Sequence, residues 1–233
     1  MMQNNCAMLG KNIKIGVRAE IGSNVVIHDN VAIGEGVRID DNTVLGKLPL
    51  VSKNSATTKE QTLGPLIIGN GTLIGSGAII YTGARIGSNC LIADNATVRE
   101  DVVIGDNTII GSKSLVENKV EIGSHCKIQS NVHIVPYSKI EDFVFIAPGV
   151  LTSNDAYVGR TKERLTKFKG VHIKKGARIG VGAILLPGIT IHEDALVGAG
   201  SVVTKDVAAG TVVVGVPAKY LKEVPKEQLL ENQ

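Results

Sequence analysis

The sequence has 233 residues, of which 43% are hydrophobic, 3% are aromatic and none is tryptophan. Its 25 lysine and arginine residues nearly balance 22 aspartate and glutamate residues, which argues against a nucleic-acid or membrane-surface function. No apolar run reaches the length of a membrane span, and the first residues lack the pattern of a secretory signal peptide. We therefore expect a cytoplasmic protein with a thin aliphatic core.

The first part of the chain repeats an aliphatic residue every six positions. After a partial coil near Leu9, the repeated residues are Ile15, Ile21, Ile27, Ile33, Ile39 and Leu45. A single aliphatic residue every six positions drifts around a helical wheel, but it suits one short strand followed by a tight turn. Asn, Asp and Gly between these positions supply the backbone shapes that tight turns need.

The repeat fails between residues 46 and 66, where the chain is polar and has a proline at each end of the break. This break predicts a loop ejected from the repeat structure. Insertions in solenoids map to one face, which is often the binding face, so we favour a functional loop over a disordered one.

The longest run of repeats follows this loop without a break. Its aliphatic residues are Ile68, Ile74, Ile80, Ile86, Ile92, Val98, Ile104, Ile110, Val116, Ile122, Ile128, Ile134, Ile140 and Ile146. Three six-residue units close a triangle, and the aliphatic residues of successive coils stack inside it at a strand spacing of about 4.8 Å. The sequence therefore predicts an all-β parallel β-helix, a three-sided prism of hexapeptide repeats.

A second ejected loop is predicted over about residues 152–172, rich in lysine and arginine. Repeats return at Ile173, Ile179, Leu185, Ile191, Val197, Val203 and Ala209. We expect a β-helix domain over residues 1–214 and a cap over residues 215–233. In the cap, Pro217 begins a short helix, and Tyr220, Leu221 and Val224 cover the open end of the prism.

The three cysteines, Cys6, Cys90 and Cys126, do not have the spacing of a metal site. Cys90 and Cys126 lie two coils apart on one predicted face, roughly 10 Å, which is too far for a disulfide. We predict reduced thiols, and no metal cofactor.

The pattern resembles the hexapeptide-repeat acyltransferases over nearly the whole chain. That resemblance implies a left-handed β-helix, although parallel crossovers in general are right-handed. Within the family, the chain resembles the N-acyltransferases of nucleotide-linked 3-amino and 4-amino dideoxy sugars, including the anthrose-pathway acyltransferase. The stretches that carry the resemblance are residues 127–132, 140–150, 152–155, 181–184, 198–207 and 214–219.

The resemblance implies a homotrimer that transfers an acyl group from acyl-CoA to the amine of a nucleotide-linked amino sugar, with active sites between adjacent prisms. Gly182, Ala183, Ala199 and Gly200 are then expected along the pantetheine arm. Lys205 and Lys219 are expected near the coenzyme phosphates. Turn geometry and solvent exposure are the alternative explanations for these residues.

Two carboxylates are candidates for holding the sugar ammonium and receiving its proton, namely Asp94 and Glu117. Asp94 also suits an ordinary turn, whereas Glu is a poor turn former. Asn131, Asn154 and Asp155 match the branch pattern and are assigned to the sugar or pyrophosphate. Tyr157 and Arg160 are predicted to meet the nucleotide, with the trimer contact as the alternative, and Tyr81 is a further substrate candidate.

The histidines do not match the base motif of several relatives. His28, His133 and His192 are predicted to face solvent, and His125 lies at a corner. The sequence is compatible with a 3-amino or a 4-amino acceptor, with dTDP or UDP, and with any acyl chain. It is also compatible with a protein base or with proton transfer to the departing sulfur of coenzyme A.

Three other functions compete with this prediction. An O-acetyltransferase acting on a sugar or serine hydroxyl uses the same chemistry, but it usually needs a base. A carbonic anhydrase on the same prism needs three zinc-binding histidines, and the spacing of His125 and His133 offers no third. A scaffold or ice-binding solenoid needs regular outward threonine rows, whereas the outward positions here are mixed and charged.

Overall fold

The computed structural model describes residues 8–55 and 61–233 and forms a parallel β-solenoid. Up to the last coil, each strand pairs with the third strand before it and the third after it, so the chain passes through three sheets in turn. We call them sheet 1, sheet 2 and sheet 3. The predicted prism of hexapeptide repeats is confirmed, while Cys6 lies outside the described residues.

Most strands are two residues long. Sheet 1 holds Met8–Leu9, Val26–Ile27, Val44–Lys47, Ile79–Tyr81, Thr97–Val98, Leu115–Val116, His133–Ile134, Leu151–Thr152, Ile184–Leu185 and Val202–Val203. Sheet 2 holds Lys14–Ile15, Val31–Ile33, Leu66–Ile68, Arg85–Ile86, Val103–Ile104, Glu121–Ile122, Lys139–Ile140, His172–Ile173 and Thr190–Ile191. Sheet 3 holds Glu20–Ile21, Arg38–Ile39, Leu73–Ile74, Leu91–Ile92, Ile109–Ile110, Lys127–Ile128, Phe145–Ile146, Arg178–Ile179, Leu196–Val197, Thr211–Val214 and Lys219–Glu223.

The repeated aliphatic residues fill the prism. Every one of them from Ile68 to Ile146 is buried and belongs to one continuous core. Ile15 is 44% exposed because it lies near the open first end of the prism. The prediction for Ala209 was wrong, since Val207 takes the inward position and bridges to Ile191. The last coil has two residues fewer than the 18 of a regular coil, so Val207, and not Ala209, stacks on Ile191 inside the prism.

The corners of the prism use left-handed backbone. Asn24, Asn42, Asn95 and Asn107 all have φ between 55 and 61°. Asparagine tolerates this conformation better than other residues with a Cβ atom, and glycine adopts it without strain. The prediction that Asn and Gly form the tight turns between strands therefore agrees with the backbone conformation at the corners.

The outward faces of the three sheets differ in charge. Sheet 1 carries Lys47 and Tyr81 at the ends of two strands, and its other outward residues are apolar apart from one threonine and one histidine: Met8, Val26, Val44, Ile79, Thr97, Leu115, His133, Leu151, Ile184 and Val202. Sheets 2 and 3 carry charged residues among their outward positions, such as Arg85, Glu121 and Lys127. Sheet 1 is therefore the apolar side of the prism.

The C-terminal cap differs from its prediction. Where a helix was expected from Pro217, the strand Lys219–Glu223 pairs antiparallel with Thr211–Val214. The reversed strand pairs with the last strand of sheet 3, which would otherwise present an open edge. Val224 is buried as predicted, but Tyr220 and Leu221 are more than half exposed and cover nothing. Three 3₁₀ turns complete the described structure: Glu163–Thr166, Lys226–Gln228 and Leu230–Asn232.

Candidate active site

Both ejected loops leave the prism at the same corner. Residues 48–65 separate a sheet 1 strand from a sheet 2 strand, and so do residues 153–171. We call the corner between sheets 1 and 2 the loop corner. The two exits are five strands apart along sheet 1, about 24 Å at the usual strand spacing. The loops therefore bracket one stretch of this corner, and its side chains form the floor between them.

A row of polar side chains runs along that floor. Tyr81, Arg99 and Glu117 each follow the inward residue of successive sheet 1 strands. The Arg99 guanidinium lies 5.0 Å from the centre of the Tyr81 ring, and Lys47 lies 5.5 Å from the same ring. Arg99 Nη1 donates to Glu117 Oε2 at 3.4 Å. A cation, an aromatic ring, a second cation and a carboxylate thus follow one another along the corner.

The row is anchored by a buried carboxylate, Glu100, which is only 1% exposed. Arg99 donates to both of its oxygens, from Nε at 2.8 Å and from Nη2 at 2.9 Å. Burial alone would lower the pKa of Arg99, but the Glu100 carboxylate and then Glu117 raise it above its ordinary value. Arg99 is therefore held as a fixed cation that orients Glu117.

Glu117 in turn faces a histidine. Its Oε1 lies 3.4 Å from His133 Nε2, while its Oε2 receives Arg99. Both side chains are partly exposed, so solvent and small molecules can reach the pair. When Nε2 carries the hydrogen and points to Glu117, Nδ1 is left as a proton acceptor. In this structure His133 Nε2 is buried and makes no hydrogen bond, so the imidazole and the carboxylate are close to one another but not bonded.

Sequence reasoning singled out Glu117 and Tyr81 but missed His133, Arg99 and Glu100. A signal for His133 was present. It lies beside Leu115 on the neighbouring strand, and Leu115 and Glu117 are two positions apart, hence on the same side of the chain. Arg99 could have been found in the same way, because it precedes Glu117 by 18 residues and therefore occupies the same position one coil earlier.

The second predicted carboxylate, Asp94, lies elsewhere. It is exposed at the corner between sheets 3 and 1, which is the opposite edge of sheet 1 from Glu117. Its Oδ1 accepts the backbone N–H of Ser76 at 2.9 Å. Asp41 and Asp106 make the same bond to the coil below them. Within one chain the structure does not bring Asp94 and Glu117 together.

The residues predicted for the pantetheine arm occupy the same corner as Asp94. Gly182 and Gly200 have φ of +66°, and a Cβ atom at either would meet nothing within 4 Å. Ala199 is exposed beside them, as is Asn131 three coils away. The side chain of Ala183 is fully buried in the core and cannot line a groove. We call this edge the glycine corner.

The predicted coenzyme lysines are both exposed but do not lie at one place. Lys205 follows the sheet 1 strand Val202–Val203 and so lies on the loop-corner side. Lys219 begins the reversed strand at the end of sheet 3. Ala218 N–H donates to Val202 O and Gly215 N–H to Ser201 Oγ, so the segment that leads to Lys219 lies against the residues that follow Gly200, whereas Lys205 lies at the other edge of sheet 1.

The residues predicted in the second loop shape that loop. Asp155 accepts the N–H groups of Tyr157 and Gly159 and pairs with Arg164 at 2.9 Å. Burial would raise the pKa of Asp155, but these donors together hold it below its usual value. Asp155 is thus the internal clamp of the loop, and it is Tyr157 and the exposed Arg160 that remain available to a ligand.

Asn154 lies at the loop corner, where the second loop begins. Its backbone oxygen accepts the N–H of Lys169, which fixes the two ends of the loop. Its side-chain Nδ2 is buried and has no hydrogen-bond partner. Since buried donors are usually paired, this amide is suited to a ligand oxygen.

Across residues 8–55 and 61–233, no group of three or more His, Cys, Asp or Glu side chains is placed to hold a metal ion. Within the same ranges no helix is long and apolar enough to cross a membrane.

The fold and the repeats define the class of this protein as a hexapeptide-repeat β-solenoid. The sequence profile of the bacterial transferase hexapeptide, six repeats long, matches residues 65–100, 83–118, 101–136 and 170–205. These matches cover residues 65–136 and 170–205, and they agree with the resemblance read from the sequence.

Named relatives match parts of the chain. A putative acetyltransferase of Schizosaccharomyces pombe is 46% identical over 57 residues, 24% of this chain and 28% of the relative. A 2,3,4,5-tetrahydropyridine-2,6-dicarboxylate N-acetyltransferase of Staphylococcus aureus is 45% identical over 58 residues, 25% of this chain and 24% of the relative. The match thus spans about a quarter of each relative's length. The solved structure of WeeI from Acinetobacter baumannii AYE superposes with a TM-score of 0.50 at 26% identity, covering 58% of this chain and 59% of that one.

Proposed function

We propose that the chain is an acyl-CoA-dependent N-acyltransferase that acylates the amine of a nucleotide-linked amino-dideoxy sugar, with dTDP as the nucleotide, in the biosynthesis of a surface glycan. Support for acyl transfer comes from the repeat family and from the acetyltransferase names of its relatives. Support for the sugar comes from the sequence resemblance and from the two loops that bracket the loop corner. We place the reaction in the cytoplasm, where nucleotide sugars and coenzyme A thioesters are made.

The observation that carries the proposal is the pairing of His133 with Glu117 at a partly exposed corner. Acyl transfer to an amine needs the amine to be neutral as it attacks, or to lose a proton as the new bond forms. His133 Nδ1 takes that proton, while Glu117, oriented by Arg99, stabilises the imidazolium. His133 Nε2 and Glu117 Oε1 are 3.4 Å apart without a hydrogen bond in this structure, and catalytic contacts of this kind often tighten only when substrates bind.

The reaction balances without a covalent enzyme intermediate. The sugar nitrogen attacks the thioester carbonyl, a C–N bond forms, and the electrons of the C–S bond leave with sulfur. His133 receives the proton from nitrogen and returns it to the thiolate, which leaves as the free thiol of coenzyme A. In the alternative mechanism, which uses no protein base, the sulfur of coenzyme A takes the proton directly.

We further propose a homotrimer with sheet 1 at its interface. Most outward residues of sheet 1 are apolar, and Leu151 and Ile184 are 45% and 37% exposed in the single chain. An apolar face of this kind is suited to a second copy. The glycine corner and the loop corner are the two edges of sheet 1, so a threefold arrangement sets the glycine corner of one copy beside the loop corner of the next.

This arrangement assigns the remaining predicted residues. Acyl-CoA lies along the glycine corner, where Gly182, Ala199 and Gly200 allow close approach, and its thioester reaches His133 of the adjoining copy. Asp94 then faces the same groove from the coenzyme side. The nucleotide sugar enters between the loops, where Tyr157 and Arg160 meet the nucleotide and Asn154 Nδ2 donates to the sugar or pyrophosphate.

A second candidate function is O-acetyl transfer to a sugar or serine hydroxyl. The sequence argued against it because no base was evident, but the His133–Glu117 pair supplies one. A hydroxyl needs such a base more than an amine does, since its proton must be removed as it attacks.

One assay separates the two functions and tests the proposal. Acetyl-CoA and longer acyl-CoAs are incubated with 3-amino and 4-amino nucleotide sugars, with dTDP and UDP forms, and with their hydroxyl counterparts, and free thiol is measured. We expect thiol release with an amino sugar only. Release with hydroxyl acceptors alone would contradict N-acyl transfer and support the second candidate.

The trimer has its own test in light scattering coupled to size exclusion. We expect a mass near three chains, and Leu115→Glu should reduce it to one chain because it buries a charge in the apolar face. The exposed Glu121→Gln on sheet 2 is the control. A wild-type monomer that turns over at full rate would contradict both the interface and the shared groove.

A further inference from the structure

A second site lies on sheet 3, on the side of the prism away from sheet 1. The C-terminal turns lie against this sheet and leave a hollow of about 280 Å³. It adjoins a second hollow of about 630 Å³ that shares Phe143, Asp194 and Leu230 with it. Leu230 is held in place because its N–H donates to Asp194 Oδ1 at 3.0 Å. The hollows are therefore bounded by a fixed segment of the chain.

Arg178 faces this hollow with part of its guanidinium unused. Its Nη1 donates to Gln228 Oε1 at 3.1 Å, which fixes the orientation of the group. Its Nε and Nη2 are buried and have no hydrogen-bond partner. Among the described residues 8–55 and 61–233, no carboxylate lies within ion-pair distance of Arg178. Two buried donors of a cation are thus left unsatisfied, which is rare because each costs free energy.

The two unused donors are the pair best suited to an oxyanion. Nε–H and one Nη2–H project side by side from the guanidinium and match the two oxygens of a carboxylate or phosphate. Lys127 lies two strands away on the same face of sheet 3, with Phe145 between it and Arg178. Among side chains, the smaller hollow is lined by two cations, Lys127 and Arg178, and one carboxylate, Asp194, whose Oδ1 already accepts Leu230. The adjoining hollow adds Lys175, Glu193 and Glu231.

The walls of the hollow are aromatic. The His125 and Phe143 rings stack with centroids 4.8 Å apart and planes 4° from parallel. Phe145 is 37% exposed on the strand next to Arg178. An oxyanion held by the Arg178 fork therefore has a flat aromatic surface beside it, which favours a ligand whose acid group is attached to a planar ring.

We propose that this hollow binds a small organic anion, with a carboxylate or phosphate on the Nε and Nη2 fork of Arg178 and a planar ring against Phe145. The site is separate from the proposed transferase groove, because His125, Phe143 and Asp194 place it at the corner between sheets 2 and 3, whereas the groove uses the two edges of sheet 1. Its binding does not depend on catalysis, and the two proposals can fail independently.

Calorimetric titration with three probes tests this site: inorganic phosphate, benzoate and adenosine 5′-monophosphate. We expect a ring-bearing anion to bind in the millimolar range or tighter, and the comparison of benzoate with the nucleotide tells carboxylate from phosphate. Arg178→Gln should weaken binding by about tenfold or more. Arg178→Lys, which keeps the charge but not the fork, should also weaken it. Phe145→Ala should weaken the ring-bearing probes and leave phosphate unchanged.

Arg38→Gln is the matched control, since Arg38 is an outward arginine of the same sheet but is already paired with Asp40 at 2.8 Å. Equal binding to wild type and both Arg178 variants would overturn the proposal, and so would the absence of binding by every probe. Displacement of the bound anion by saturating acetyl-CoA would overturn the claim of a separate site. Circular dichroism of each variant verifies that it is folded, and Arg178→Lys remains informative if Arg178→Gln is not.

Discussion

Removing the charge of Glu100 should destabilise the prism far more than an ordinary surface substitution. Glu100 is 1% exposed and accepts two hydrogen bonds from Arg99. Breaking a fully buried ion pair costs about 3–5 kcal/mol. The Arg99 side chain is 20% exposed and keeps Glu117 as a second partner, so we discount that figure. We expect Glu100→Gln to lower the free energy of unfolding by about 2–3 kcal/mol.

Urea unfolding followed by circular dichroism measures this cost, and a double-mutant cycle with Arg99→Met isolates the pair. With a typical urea m-value, the expected loss moves the midpoint by about 1 M. The double variant should be more stable than the sum of the single losses predicts, with a coupling of about 2 kcal/mol. Glu20→Gln, an exposed carboxylate on sheet 3, is the control, and its effect should stay within about 0.5 kcal/mol. Equal midpoint shifts for Glu100→Gln and Glu20→Gln, or a coupling near zero, would refute the reasoning.

Three further predictions concern the base, the buried thiol and the second loop. His133→Asn should lower kcat/KM in the thiol-release assay by about 10²–10⁴-fold, whereas His192→Asn should not, and equal rates would exclude His133 as the base. Burial raises the pKa of the Cys126 thiol from 9.0 to about 11. Because the folded state keeps this proton longer than the unfolded chain, stability is retained below about pH 9 and lost between about pH 9 and 11, by about 2–3 kcal/mol. Cys126→Ala should flatten that part of the urea-midpoint profile, and an unchanged slope would contradict the assignment. Asp155→Ala should make the second loop cleave several-fold faster with trypsin, because the clamp on two N–H groups and an arginine is lost. Glu163→Gln, which breaks the exposed ion pair with Lys167 in the same loop but leaves the Asp155 clamp, should speed cleavage much less than Asp155→Ala.

The coils were predictable because each obeys the same local rule. An aliphatic residue every six positions, with Asn or Gly at the corner, needs no long-range information, and the structure buries Ile68 and Ile146 as the rule requires. The rule fails where the repeat ends. The cap was predicted as a helix because residues after Pro217 suit one, yet the open edge of the strand Thr211–Val214 is paired instead by a reversed strand. Pairing of an open strand edge depends on the three-dimensional fold, and local sequence propensity does not predict it.

The candidate site was predictable only in part, for a related reason. Glu117 was conspicuous because it breaks the repeat. Its partners Arg99 and His133 are ordinary residues for outward positions. They matter because neighbouring coils place them beside Glu117. Asp94 was conspicuous for the same reason as Glu117, but it bonds to Ser76 in a ladder that runs along its corner. Departures from a repeat mark both function and ordinary turn chemistry, and side-chain contacts between coils are needed to tell them apart.

The strand pairing on either side of the insertions is uninterrupted. Val31–Ile33 pairs with Leu66–Ile68, and Lys139 pairs with His172, as though no residues intervened. Because each excursion starts and finishes at one edge of the rod, its length and composition can be altered without disturbing the hydrogen-bond ladder. The rod thus acts as a constant frame, and the two loops can differ in length and composition while the strand pairing beneath them stays the same.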